Sequence, residues 1–186
     1  MNVFYLDPNP ATCARMHCDK HTVKMILEYA QLLSTAHHIL DGSPAIECYK
    51  MTHKNHPSAV WARSTRTNYA WLHELLACLC SEYTYRYGRT HATQAKGIVS
   101  NLKKLPANLK AVGKDWYDPP QWDEPPQCMP DHCKVDGSAV AAYRKYYLVE
   151  KQRMLCYTKR ITPDWILSSN VDVNLHQKRL LENVFG

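Results

Sequence analysis

Glycine is scarce here, at six residues in 186. None fall in G-x-G-x-x-G or G-x-x-x-x-G-K order, so the backbone loops that cradle nucleotide phosphates are missing. G-x-S-x-G is missing too, which removes the serine-hydrolase reading. No apolar run approaches the roughly eighteen residues that a membrane-crossing helix requires. The first residues, MNVFYLDPNP, have neither the basic head nor the apolar stretch of a secretion signal. These two absences lead us to expect a cytoplasmic protein with no membrane partner. No C-x-x-C pair occurs among the eight cysteines, and in a reducing compartment their thiols stay free. Internal repeats and low-complexity tracts are also lacking.

What is present fits one globular domain over residues 1–186. Hydrophobic residues make up 45% and charged residues 22%, enough for one core and too little chain for two. The formal net charge of +6 favours an acidic partner, nucleic acid first. Thiols and imidazoles raise the question of a metal. Cys13, His17 and His21 are spaced by four, and Cys128, His132 and Cys133 lie close together. Neither set has a zinc-like spacing, so no cofactor and no metal site is expected. A zinc-stabilised interaction module remains a rival reading.

The helix signal dominates, and the expected class is all-α: a single-domain helical bundle with a short extended N-terminal segment and a long proline-rich loop. Residues 2–7 alternate as a strand or extended arm would, with no second convincing strand to pair with. Asn9-Pro10 starts a short helix over residues 11–16. Residues 17–40 form the main helix, with Asp19 as N-cap. Val23, Ile26, Leu27, Ala30, Leu33, Ala36 and Leu40 recur at three- and four-residue steps along it. Its opposite side carries Lys20, Lys24, Glu28 and Gln31, with His21 one step round. Amines beside a carboxylate suit acid–base or Schiff-base chemistry, and equally an ordinary solvated face.

Further helices are predicted over residues 67–87, ended by Gly88, over 90–104 with Thr90 as N-cap, and over 139–156 after Asp136-Gly137-Ser138. Asn174 caps a terminal helix at 175–184, within an extension at 166–186. Residues 105–136 carry six of the eleven prolines with Trp116, Tyr117 and Trp122. That composition reads as an ordered wrap pinned by its own aromatics.

Two segments suit nucleic-acid contact. Residues 48–66 offer Lys54, Asn55, His56, Trp61, Arg63 and Arg66, where basic groups, an amide and an indole meet. A polar loop with Trp61 as its core anchor fits the same residues. The later helix interleaves Tyr143, Arg144 and Lys145, and Lys159 and Arg160 extend the basic run. An amphipathic helix at a core edge shows the same mixture.

The pattern C-D-K-H-x-x-K-M-x-L-E, then T-H-K-N-H-P-x-x-x-W-A-R, N-Y-x-W-L and E-Y-x-x-R-Y-G, resembles small phage and bacterial proteins related to pyrimidine-dimer DNA glycosylases of the endonuclease V type. The resemblance covers roughly residues 2–89 and, more loosely, the Tyr143 helix. It implies a helical single domain that binds double-stranded DNA and excises damaged or modified pyrimidines, with DNA repair as its setting. Lyase cleavage at the abasic sugar goes with that chemistry. By position it makes Glu28 the essential acid and His21 a substrate-contacting histidine. The family attacks with the amine of an N-terminal threonine, where this chain has Met1-Asn2; the amine of Met1, Lys20 or Lys24 then takes that role. Leu27 and Gln31 stand where the family has arginines. Two rivals stay open: a base-modifying transferase on the same fold, and a non-catalytic binder of DNA or RNA. Oligomeric state is not legible from these residues.

Overall fold

Asn9 starts the first helix with its side chain, accepting from the Thr12 amide at 3.0 Å ahead of Pro10 at the first position. In this computed structural model, which describes residues 1–109 and 122–169, that helix is α1, Pro10–Met16. It is followed by α2 (Asp19–Asp41), α3 (Pro57–Ala62), α4 (Arg66–Tyr87), α5 (Ala92–Ala95), α6 (Ile98–Asn101), α7 (Ala139–Glu150) and α8 (Asp164–Leu167). Two 3-10 turns, Asp131–Cys133 and Gln152–Met154, flank α7. The architecture is all-α, with no strand among the described residues. Among these residues no helix is long and apolar enough to cross a membrane. Trp116, Tyr117 and the helix expected at 175–184 lie outside the described residues.

The long helices α2 and α4 pack against each other, with α1 against α4 and α3 against α2. Thr65 caps α4 by accepting from the Asn68 amide, and Gly88 ends it in the left-handed conformation that glycine adopts without steric cost.

Three boundaries differ from the sequence reading. Cys18, not Asp19, sits at the N-cap of α2; the Asp19 carboxylate instead accepts from Arg86 and from the Thr158 amide and hydroxyl. The helix expected at 90–104 is two single turns, α5 and α6, because Gly97 at φ 74° breaks the run; His91, not Thr90, is the cap. The helix expected to reach residue 156 stops at Glu150 and tightens into a 3-10 turn.

The buried side of α2 is also rotated from the predicted stripe. Met25, Ile26, Tyr29, Leu32, Leu33 and Ala36 are buried, while Val23 and Leu27 are 43% and 40% exposed. From Leu32 to His37 the helix is enclosed on every side, and in its first half an open strip is formed by Lys20, Val23, Lys24 and Leu27, with the half-buried Glu28 at its edge.

Residues 2–7 are an extended arm threaded through the core. Val3, Phe4, Tyr5 and Leu6 are all buried, so their backbone groups need partners other than water. The Phe4 amide donates to the Tyr29 hydroxyl at 3.1 Å, and the Leu6 amide to Cys13 Sγ. The Cys13 thiol returns a bond to the Phe4 carbonyl, while Arg144 Nε donates to the Leu6 carbonyl at 2.9 Å. A strand's ladder is thus replaced by side chains from α1, α2 and α7. All eight cysteines are free thiols.

The core is rich in tyrosine, and each fully buried hydroxyl has a partner. Tyr69 donates to the Leu102 carbonyl, Tyr143 to Pro126 and Tyr157 to Met16. Trp61, Trp71 and Trp122 cluster with their rings about one ring-width apart, and Trp61 Nε1 donates to the Asp123 carbonyl at 2.8 Å. This is how the described part of the proline-rich segment is held on the helices.

A buried ionic knot closes the far end of the bundle. Arg86 is 2% exposed and donates to Glu82, Asp19 and the carbonyls of His17 and Arg15, each within 2.9 Å. Arg160 forks onto the same Glu82 carboxylate at 2.9 and 2.8 Å. Burial pushes the Glu82 carboxyl up, but the bonds from Arg160 and Arg86 outweigh it and hold the carboxyl below its ordinary range.

Candidate active site

The open strip of α2 faces a loop that the buried half of the same helix holds in place. Ser34 accepts from the Tyr49 amide, and the Thr35 hydroxyl both donates to the Thr52 carbonyl and accepts from its amide. His38 Nε2 lies 3.0 Å from the Tyr49 carbonyl. The loop then turns at His53, whose φ of 48° is left-handed and whose carbonyl accepts from the His56 amide. His56 becomes the N-cap of α3, with Nδ1 accepting from the Ser58 amide at 3.2 Å.

This cap brings the N-terminus to the loop. Ser58 Oγ donates to the Met1 carbonyl at 3.2 Å, which fixes the first residue against the start of α3. Burial first, then the positive charge of the Met1 amine and His53, pushes the His56 imidazole below its usual pKa, while the Glu28 carboxylate pulls the other way. The Met1 amine and the Glu28 carboxylate thus each lie within electrostatic reach of His56, although they come from the arm and α2. A depressed imidazole is neutral at physiological pH, and because Nδ1 accepts from the Ser58 amide its proton sits on Nε2.

Glu28 is largely covered, with 15% of its side chain exposed, and its Oε1 pairs with Lys24 Nζ at 3.2 Å. Lys24 itself stands in solvent, 71% exposed, and Lys20 is exposed one turn earlier. His21 lies beneath the strip. Its Nδ1 is 2.6 Å from the Tyr147 hydroxyl and its ring stacks on Phe4 with centroids 4.0 Å apart. Burial, then the charges of His17, Lys151 and Lys24, push the His21 imidazole down to about 3. Its ring is 5% exposed and packed between Phe4 and Tyr147.

The residues expected to contact nucleic acid divide by burial. Lys54 and Asn55 are exposed on the loop beside His56, and Lys145 is exposed on α7. Arg66 is exposed with one long bond, 3.4 Å, to the Leu109 carbonyl. Arg63 is half-buried, and among the described residues its Nη1 has no hydrogen-bond partner. Trp61 and Tyr143 are inside the core. Arg144 is held by the Leu6 carbonyl, by Asp7 at 3.6 Å and over the Trp165 ring. Lys159 donates to the Tyr85 carbonyl on the outside of the bundle, and Arg160 is tied to Glu82 and stacked on Tyr85.

One cation escaped the sequence reading. Lys151 Nζ lies 4.6 Å from the Tyr146 ring, and its charge reaches His21, so the end of α7 adjoins the start of α2. Its spacing of four from Tyr147 placed it beside the aromatic run, a signal that was available.

Searches of curated proteins and of solved structures found no match. Comparison with known families aligns residues 1–95, just over half the chain, with the family described as pyrimidine dimer DNA glycosylase. Those residues contain the arm, α1 to α4, the loop and every group that converges on Glu28, and the chain belongs to the pyrimidine dimer DNA glycosylase family.

Proposed function

We propose that this chain excises damaged or modified pyrimidines from double-stranded DNA, using the α-amine of Met1 as nucleophile and Glu28 as the essential carboxylate, with lyase cleavage following from the imine. The observation that carries this reading is the bond from Ser58 to the Met1 carbonyl, which holds the N-terminus beside His56, a residue also reached by the Glu28 charge.

Attack on the anomeric carbon needs a neutral amine. An α-amine has a reference pKa of about 8 and a lysine about 10.4, so the α-amine reaches that form with the least help. The ammonium form of the amine gives its proton to solvent before attack, while His56, whose Nδ1 is used in capping α3, keeps its proton on Nε2. The bond from nitrogen to C1′ forms as the glycosidic bond breaks, and the base leaves with its electron pair and takes up a proton. Positive charge grows on the sugar ring in between, and the Glu28 carboxylate stabilises it. Opening of the ring yields an imine; loss of a proton from C2′ then expels the 3′ phosphate. Lys24 neutralises Glu28 in the resting state, and Lys20 and Lys24 are the rival amines.

Lys54, Asn55, Arg63, Arg66, Lys145 and Lys151 would grip the duplex around this strip. The exposed Val23 and Leu27 flank Glu28 and give an unstacked base an apolar surface to lie on. The test is a panel of duplexes carrying damaged or modified pyrimidines, assayed for released base and strand breaks. Release by the parent chain and its loss in Glu28→Gln, with DNA binding kept, supports the reading; no release from any lesion contradicts it.

A second reading, modification of the base without excision, draws on Leu27 and Gln31 standing where the resemblance has arginines. It predicts intact DNA with a base of altered mass.

A further inference from the structure

Away from the Glu28 strip, the 3-10 turn Asp131–Cys133 packs against the end of α7 and brings three different donor atoms together. His132 Nε2 lies 2.7 Å from Glu150 Oε1, and Cys133 Sγ is close enough that all three donors fall within 4.8 Å of one another. We propose that His132, Cys133 and Glu150 form a site for a zinc-type divalent cation that clips the proline-rich segment to α7.

The donor set fits that class of ion. Zinc binds imidazole, thiolate and carboxylate at about 2.0–2.3 Å in a tetrahedron, which sets donors about 3.3–3.8 Å apart. Reaching that spacing takes movements of about 1 Å, and the His132 and Glu150 side chains, 57% and 39% exposed, are free to make them. Cys133 is fully buried and supplies the fixed corner. One thiolate and one carboxylate balance the charge of a divalent ion, while the soft sulfur disfavours magnesium and calcium. Asp131 is not a fourth donor, because it pairs with Lys134 at 2.7 Å. The fourth position faces solvent on the side of the two exposed side chains, where water completes the tetrahedron.

The sequence had grouped Cys128 with His132 and Cys133. In the fold Cys128 Sγ sits 3.7 Å from Ser58 Oγ, at the other side of the segment, and Glu150 takes its place. The clip joins residues 17 and 18 apart in sequence and holds the end of α7, where Tyr147 meets His21 at the start of α2.

The experiment uses the full chain stripped with chelator and titrated with cobalt(II), whose spectrum reports both geometry and sulfur ligation. We expect stoichiometric binding with tetrahedral visible bands and a thiolate charge-transfer band, all displaced by zinc. His132→Ala and Glu150→Gln should each weaken binding by about tenfold or more while leaving the circular dichroism of the chain unchanged. Cys128→Ser should bind as the parent does. Absence of stoichiometric binding, a cobalt spectrum without the thiolate band, or unchanged affinity in both surface variants would overturn the assignment.

Discussion

Lys24 Nζ stands 3.2 Å from Glu28 Oε1, one turn along α2, with the lysine in water and the carboxylate largely covered. An exposed partner of this kind adds little stability, about 0–1 kcal/mol. Lys24→Met should therefore leave the unfolding midpoint nearly unchanged and retain base release. Glu28→Gln should lower turnover by about 10²-fold or more, because a carboxylate that faces developing positive charge acts mainly on the transition state. Single-turnover kinetics on a lesion duplex, with binding measured in parallel, separates the two variants.

The Arg86 knot makes a prediction about stability alone. Removing the guanidinium leaves Asp19 without its cation and Glu82 with Arg160 alone, and it strands the carbonyls of His17 and Arg15. Arg86→Met should cost about 3–5 kcal/mol, a fall of about 10 °C or more in thermal midpoint. A loss below about 1 kcal/mol would mean that the knot is open to water.

Acid stability should track two histidines. Burial, together with nearby charge, holds His17 at about 4 and His21 at about 3, against an unfolded value of 6.5. Between those limits the unfolded chain binds more protons than the folded one, so stability is complete above pH 6.5 and falls as pH drops towards 4. Each histidine contributes a slope of up to about 1.4 kcal/mol per pH unit in that window. Urea midpoints measured across the window test this, and His21→Phe should flatten the curve. A midpoint that does not move between pH 6.5 and pH 5 would contradict the burial of both rings.

DNA affinity should depend on salt through the exposed cations. Lys54, Lys145 and Lys151 are candidates for phosphate contact, and each contact adds about 0.9 to the slope of log affinity against log salt. Substituting any one by alanine should lower that slope by about this amount and weaken binding across sequences alike. Lys159→Ala, on the outer side of the bundle, should change it less.

Much of the fold could be read from local chemistry. Asn9-Pro10 opened α1, Gly88 closed α4 and Ser138 opened α7, because caps and glycine act through neighbouring residues. The helix read across residues 90–104 failed at Gly97, where a backbone angle rather than an apolar pattern decides the outcome. The α2 stripe was misplaced because periodicity counts Val23 and Leu27 as core, and cannot know that these two positions are left uncovered while Met25 and Tyr29 turn inward. Interleaved tyrosine and arginine look the same in sequence whether they face solvent or core; Tyr143 is held inside by Pro126, and the half-buried Arg144 is tied down by Leu6. The approach of Met1 to His56 depends on Ser58 and on the path of the arm, a tertiary relation with no local signal.

Borohydride trapping on a lesion-containing duplex, followed by mapping of the adduct by mass spectrometry, tests the central claim most directly. The account predicts a covalent protein–DNA product attached through the α-nitrogen of Met1, reduced or absent in Glu28→Gln and abolished when that amine is blocked. An adduct on Lys20 or Lys24, or no adduct with any pyrimidine lesion, would contradict it.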